Sequence, residues 1–139
     1  MTDNRRFLKR AALGLLDAIG EQHPMGHQPS KANRYVLVSQ DRVRVEIMFE
    51  KNDDSPPNLW CLKDAAGKVL IAKHNPRLSL AGDLWTRRGK DGPLYGRHSA
   101  LEKMPQLGNA DLVCFTPDSV EQIGQIVDRL RRVTESDIS

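Results

Sequence analysis

Arg42-Val43-Arg44-Val45-Glu46-Ile47-Met48-Phe49-Glu50 puts Val43, Val45, Ile47 and Phe49 on one side of an extended chain and Arg42, Arg44, Glu46, Met48 and Glu50 on the other. A period of two over nine residues predicts a strand with one face in a core and the other in water. Strands of that kind belong to antiparallel sheets, because parallel strands are covered on both faces and read as unbroken apolar runs. Just upstream, Arg34 to Ser39 is a β-branched and aromatic run joined to the first through Gln40-Asp41, so the two predict a hairpin.

Further upstream, residues 3–22 carry Leu8, Ala11, Ala12, Leu15, Leu16 and Ile19 at three-and-four spacing, the stripe of an amphipathic helix. Arg5, Arg6, Lys9 and Arg10 gather at its start, as a solvated face or a second basic contact. Gly20 and His23-Pro24-Met25-Gly26-His27-Gln28-Pro29 end the helix in a loop. Two histidines four apart can share a metal on a helix, but Pro24, Gly26 and Pro29 make a helix untenable here, and no Cys, Asp or third His stands nearby.

Downstream of the polar loop Lys51 to Pro57, Asn58 to Lys63 and Lys68 to Lys73 are read as a second hairpin closed by Asp64-Ala65-Ala66-Gly67, with Trp60 anchoring the core. Leu112 to Phe115, an apolar run bounded by Asp111 and Pro117, predicts a strand inside the sheet. Asp118-Ser119-Val120-Glu121 has the spacing of a capping box. The helix it opens would turn Val120, Ile123, Ile126, Val127, Leu130 and Val133 inward, with Arg129, Arg131 and Arg132 complementing its C-terminal dipole. Thr134 to Ser139 is read as a tail. The expected fold is α+β: an N-terminal helix, an antiparallel sheet of about five strands from two hairpins plus a late strand, and a C-terminal helix packed on one face. Its core should include Leu15, Val45, Ile47, Trp60, Cys114, Phe115, Ile123 and Val127.

A chain of 139 residues fits one domain, residues 1–139, able to bury a core without metals or disulfides. Cys61 and Cys114 are too few and too far apart for a structural zinc site, and each sits in an apolar run, as expected of buried thiols in a reducing cytoplasm. The polar opening of the chain and the lack of an apolar run of about 18 residues predict a soluble cytoplasmic protein with no signal peptide and no membrane partner.

The remaining stretch, a long basic loop at 74–98, holds no sustained pattern beyond a short strand around Leu78 to Leu80. Connections longer than about 12–15 residues are functional or disordered more often than idle, and Leu84, Trp85, Leu94 and Tyr95 argue for a loop folded back and pinned, with residues 87–92 as its tip. From Lys73 to Lys103 seven basic residues face three acidic ones, a local charge of +4 within a chain of +3. Ser99-Ala100-Leu101-Glu102 repeats the capping-box spacing, so a helix is expected to begin at Ala100 with Gly96, Arg97 and His98 before its positive end. Arg87, Arg88, Lys90, Arg97, His98 and Ser99 are therefore the expected binding residues, for an anion or an acidic surface.

The element order could also fit restriction-type nuclease cores, but no Asp or Glu followed two residues later by Lys lies on an expected strand. His74-Asn75-Pro76-Arg77-Leu78-Ser79 resembles the His-x-x-Pro-Leu-Ser run of HNH nucleases, with His98 at a spacing suited to the distal histidine. The resemblance implies a metal-dependent nuclease using His74 and His98. Lys73 stands where that family has Asp or His, however, and the midway Asn is missing near Gly89. Ser99, read as a cap, lacks the sharp-turn context of a nucleophile.

With no catalytic residues, no metal ligands and no cofactor motif assigned, the sequence favours a non-enzymatic binding or regulatory module. It would dock through its basic loop onto nucleic acid or an acidic protein partner, with homodimerisation left open. Small bacterial or phage-borne defence and counter-defence proteins have this character.

Overall fold

In the computed structural model, residues 3–138 are described. Helix α1 (Asp3–Ile19) is followed by strands β1 (Glu21–Gln22), β2 (Ala32–Val38), β3 (Arg44–Glu50) and β4 (Leu59–Leu62), then helix α2 (Lys63–His74) and strand β5 (Arg77–Ser79). A small ribbon, β6 (Arg88–Gly89) and β7 (Gly92–Pro93), precedes β8 (Leu112–Phe115), α3 (Val120–Leu130) and α4 (Glu135–Ile138), with short 3₁₀ turns at Ala81–Asp83 and Ser99–Leu101. Six strands form one sheet in the order β1-β2-β3-β4-β8-β5, every pairing antiparallel. The fold is α+β, with β8 inside the sheet as its apolar run requires.

The register fixes what each face carries, because residues opposite one another across a ladder point the same way. Asn33, Phe49, Leu59 and Phe115 share one face, and Arg34, Met48, Trp60, Cys114 and Arg77 the other. Helices cover the first face. The Tyr35 hydroxyl donates to Asp17 Oδ1 of α1 at 2.7 Å, and the His74 ring of α2 meets Phe115 edge-on at 6.1 Å. Leu8, Ala12 and Leu16 of α1 and Ile123, Ile126, Val127 and Leu130 of α3 are buried, as their spacing predicts. Leu15 is only partly buried, and Val120 is exposed.

Two readings of the middle of the chain are corrected. Lys68 to Lys73 is helical, so the second hairpin is absent and its first strand, β4, pairs with β3 and β8. Val69-Leu70-Ile71-Ala72 has no period to separate helix from strand. Gly67 decides the local path: at φ 80° and ψ 161° it breaks α2 after one turn, a conformation that disfavours any side chain. Arg129 of α3 docks there, its Nε donating to the carbonyls of Ala65 and Ala66 at 3.1 and 3.3 Å, while its Nη2 pairs with Asp137 at 3.3 Å. Asn75 ends the helix in the left-handed region at φ 46°, ahead of Pro76. The capping box at α3 lies one residue later than expected. Ser119 Oγ accepts from Gln122 N–H, and Gln122 Oε1 accepts from Asp118 N–H. The expected tail contains α4.

The second correction concerns β3, whose polar side is not in water: Glu46, Met48 and Glu50 are all buried. Residues 84–107, without an α-helix, lie over that face and bury Leu84, Ala100, Leu101, Met104 and Leu107. Cys61 and Cys114 are both free and buried. Burial pushes both thiols up, Cys114 to about 12, so neither is a thiolate near neutrality.

Candidate functional site

Three polar clamps hold the irregular cover to the sheet. Glu46 of β3 accepts the N–H groups of Gln106 and Leu107 on Oε1, at 2.8 and 3.0 Å, and His23 Nε2–H on Oε2. Gln106 answers by accepting Glu46 N–H and donating to Arg44 O. Arg34 of β2 donates from Nε to Ala100 O at 2.9 Å and from Nη1 to Gly26 O at 3.0 Å. Arg97 is the third clamp. Its Nε donates to Ser79 Oγ at 2.7 Å, and Nη2 to Ser79 O and Ala110 O. Its Nη1 faces Leu107 O and Gly108 O at 3.2 and 3.3 Å.

A guanidinium has five N–H donors, and those of Arg97 are absorbed by this set. Arg97, expected to bind a ligand, instead ties β5 to the 107–110 turn. The preceding glycine is part of the same device. Gly96 N–H donates to Leu84 O at 2.8 Å, and a Cβ at Gly96 would stand 2.9 Å from that oxygen. Tyr95 packs on Trp85 at 5.4 Å between ring centroids and donates its hydroxyl to Gly108 O at 2.7 Å. Burial also raises the Tyr95 phenol above its usual range. The loop is pinned, as its apolar side chains imply, and residues 87–92 form its exposed tip around β6 and β7.

The expected helix start is also different. Ser99–Leu101 is a single 3₁₀ turn, too short to sum a helix dipole. His98 caps it, Nδ1 accepting Ala100 N–H at 3.0 Å, while Glu102 donates its own N–H to Ser99 O. Ser99 is exposed and does not cap. Because Nδ1 accepts, the proton of the neutral His98 ring sits on Nε2. Burial lowers the His98 pKa, with Glu50 acting against that and Lys31 and Arg34 with it.

Beneath the loop, on the cover side of the sheet, lies a cleft of about 510 Å³. Trp60 and Glu50 are among its lining residues, 4% and 6% exposed, with Trp60 Nε1–H donating to Glu50 Oε2 at 2.7 Å. The Arg77 guanidinium lies 5.2 Å from the Trp60 ring centre, within cation–π range. Arg87, Arg97 and His98 complete the wall. Of the expected binding residues the structure brings together Arg87, Arg97 and His98, and leaves Arg88, Lys90 and Ser99 outside this lining. Glu50, Trp60 and Arg77 are lining residues the sequence reading missed. Glu50 stood on a supposedly solvated strand face, and only the mismatch of a Met48 on that face hinted at a cover.

The remaining histidines are engaged in structure. His23 Nδ1 accepts Met25 N–H, and His27 Nδ1 accepts Arg34 N–H, each at 3.0 Å. His74 packs edge-on against Phe115, and its Nε2 is buried with no hydrogen-bond partner among the described residues. Among the described residues no three His, Cys, Asp or Glu side chains are placed to share a metal ion, and no helix is long and apolar enough to cross a membrane. No family model, curated protein or solved structure matches this chain.

Proposed function

We propose that this protein is a non-enzymatic docking module whose 74–98 segment contacts an acidic protein surface. The observation that carries this is the overlap of exposed apolar and basic side chains. Leu78, Leu80, Trp85 and Leu94 are four of the nine large exposed hydrophobics among the described residues. They share one segment with exposed Arg87, Arg88 and Lys90, which have no ion pair among those residues. Trp and Arg are the side chains that most often anchor protein interfaces, while a phosphate backbone asks for charge but not for exposed leucines. Because Tyr95, Gly96 and Arg97 pin the loop before any partner arrives, little ordering entropy opposes docking.

A second reading, single-stranded nucleic acid, is favoured by Trp85, a residue 46% exposed beside the basic tip whose ring could stack on a base. One experiment separates the two: affinity purification from the native cell of the wild type and of a Trp85→Ala, Arg88→Ala, Lys90→Ala variant. The docking reading expects a stoichiometric protein partner that the variant loses. Co-purified nucleic acid, with a raised 260 to 280 nm absorbance ratio and a steep salt dependence, would favour the second reading. Wild type and variant retaining the same molecules, or none, would remove the loop from consideration.

A further inference from the structure

The cleft under the loop contains polar groups that the fold leaves unsatisfied, and they are of both signs. Glu50 is nine-tenths buried, yet only its Oε2 receives a donor, from Trp60; Oε1 has none among the described residues. On the same cleft, and among the described residues, the His98 Nε2–H and the Arg87 guanidinium have no acceptor, and Arg77 lies over Trp60 with no carboxylate partner. A purely anionic group would meet Arg87 and His98 well but would face the Glu50 carboxylate. A purely cationic one would meet Glu50 well but would face Arg77 and Arg87. A group that is anionic and still carries a proton to donate satisfies both sets.

We infer that this cleft binds a hydrogen phosphate group, as inorganic phosphate or as a phosphomonoester, with P–O⁻ oxygens on Arg87 and His98 Nε2–H and the P–OH donating to Glu50. The inference goes beyond macromolecular docking and does not depend on it. Glu50 supplies the selectivity. Near neutral pH sulfate and phosphodiesters have no O–H, so their oxygens would be set against the buried carboxylate with no proton between. Phosphate and its monoesters ionise a second time only near pH 6 or above, so near that pH they keep a donor. The same logic excludes a nucleic-acid backbone, built of diesters, from the cleft itself.

The test is a calorimetric titration of the full chain near pH 6 at constant ionic strength, with inorganic phosphate, phenyl phosphate, sulfate and dimethyl phosphate as probes. His98 ring signals in NMR report the location. A charged hydrogen bond gained instead of a repulsion predicts phosphate binding about tenfold or more tighter than sulfate. Phenyl phosphate should follow phosphate, and dimethyl phosphate should follow sulfate. Tighter binding of phenyl phosphate than of phosphate identifies a phosphorylated molecule as the source, and the reverse identifies the free ion. Glu50→Gln retains an acceptor for Trp60 and should abolish the preference for phosphate over sulfate, while Arg87→Ala should weaken both. Equal affinity of the wild type for phosphate and sulfate, or binding that leaves the His98 signals unmoved, overturns the proposal. That comparison needs no variant, so a folding failure of Glu50→Gln leaves the proposal open to refutation.

Discussion

On the helix-covered face of the sheet, Leu8, Ala12 and Leu16 of α1 and the inner stripe of α3 meet Tyr35, Ile47, Phe49 and Phe115 as apolar surfaces. On the other face, Arg34 and Glu46 meet main-chain carbonyls and amides of a cover that has no α-helix, and Arg97 of the cover reaches back to the Ser79 carbonyl of β5. The first arrangement is non-directional and tolerates small shifts. The second depends on geometry, since each clamp satisfies backbone groups that would otherwise be buried without partners. A face closed by directional bonds can leave a polar cleft at its border.

If the helix-covered face is held by packing, Leu16→Ala should cause the largest loss. Leu16 is fully buried, and the transfer and cavity costs together come to about 4 kcal/mol, read as a lower denaturation midpoint with one cooperative transition. Arg97→Ala should be next, at about 3 kcal/mol, because it takes a donor from the carbonyls of Ser79, Leu107 and Ala110 and leaves Gly108 O with the Tyr95 hydroxyl alone. Its signature should be local, with limited proteolysis opening residues 84–110 before the sheet. Lysine at position 97 should recover little, lacking the planar fork that reaches β5 and the turn together. A variant in which the whole domain opens at once, as with Leu16→Ala, would show that the two faces do not differ in kind.

Acid should act on the polar side through His98, and at His27, which stacks on Tyr35 of the helix-covered face. His27 and His98 each accept a backbone N–H on Nδ1, and burial lowers both pKa values below the usual 6.5. The unfolded chain then takes up protons first. The stability these groups contribute is therefore present above 6.5 and lost as pH falls through their folded values. Urea midpoints measured down the pH scale should fall in that window. His98→Asn, which keeps an acceptor for Ala100 N–H but does not titrate, should flatten the fall. At the small end, Arg88→Ala and Lys90→Ala should change stability by less than about 0.5 kcal/mol, because their exposed side chains hold nothing in the fold. A larger loss would make the loop tip structural and weaken the docking reading.

The same contrast separates what the sequence discloses from what it hides. The α1 stripe, the β2-β3 hairpin, β8 and the inner face of α3 are legible because periodicity reports burial against another regular element. Glu46 and Glu50 read as solvated because nothing in a period-two strand announces an irregular cover on its polar side. Arg97 reads as a ligand contact since its partners are main-chain carbonyls and one serine hydroxyl 10 to 18 residues away, which no sequence pattern encodes. His98 takes over the cap that Ser99-x-x-Glu102 spacing assigns to serine, as its ring nitrogen reaches Ala100 N–H from one position earlier. The basic tip at residues 87–92 is where the sequence puts it. The cleft beneath it is not legible, because Glu50, Trp60, Arg77 and His98 come from four separate stretches of chain.

Amide hydrogen exchange tests most directly whether residues 84–107 are a folded cover clamped to the sheet. The N–H groups of Gly96, Ala100, Gln106 and Leu107 are bonded to Leu84 O, His98 Nδ1 and Glu46. They should exchange far more slowly than those of Lys90 and Asp91 at the tip, and Arg97→Ala should accelerate Gly96 and Leu107 while leaving Ile47 and Val113 protected. Exchange at Gly96, Gln106 and Leu107 as fast as at Lys90 in the wild type would contradict the account.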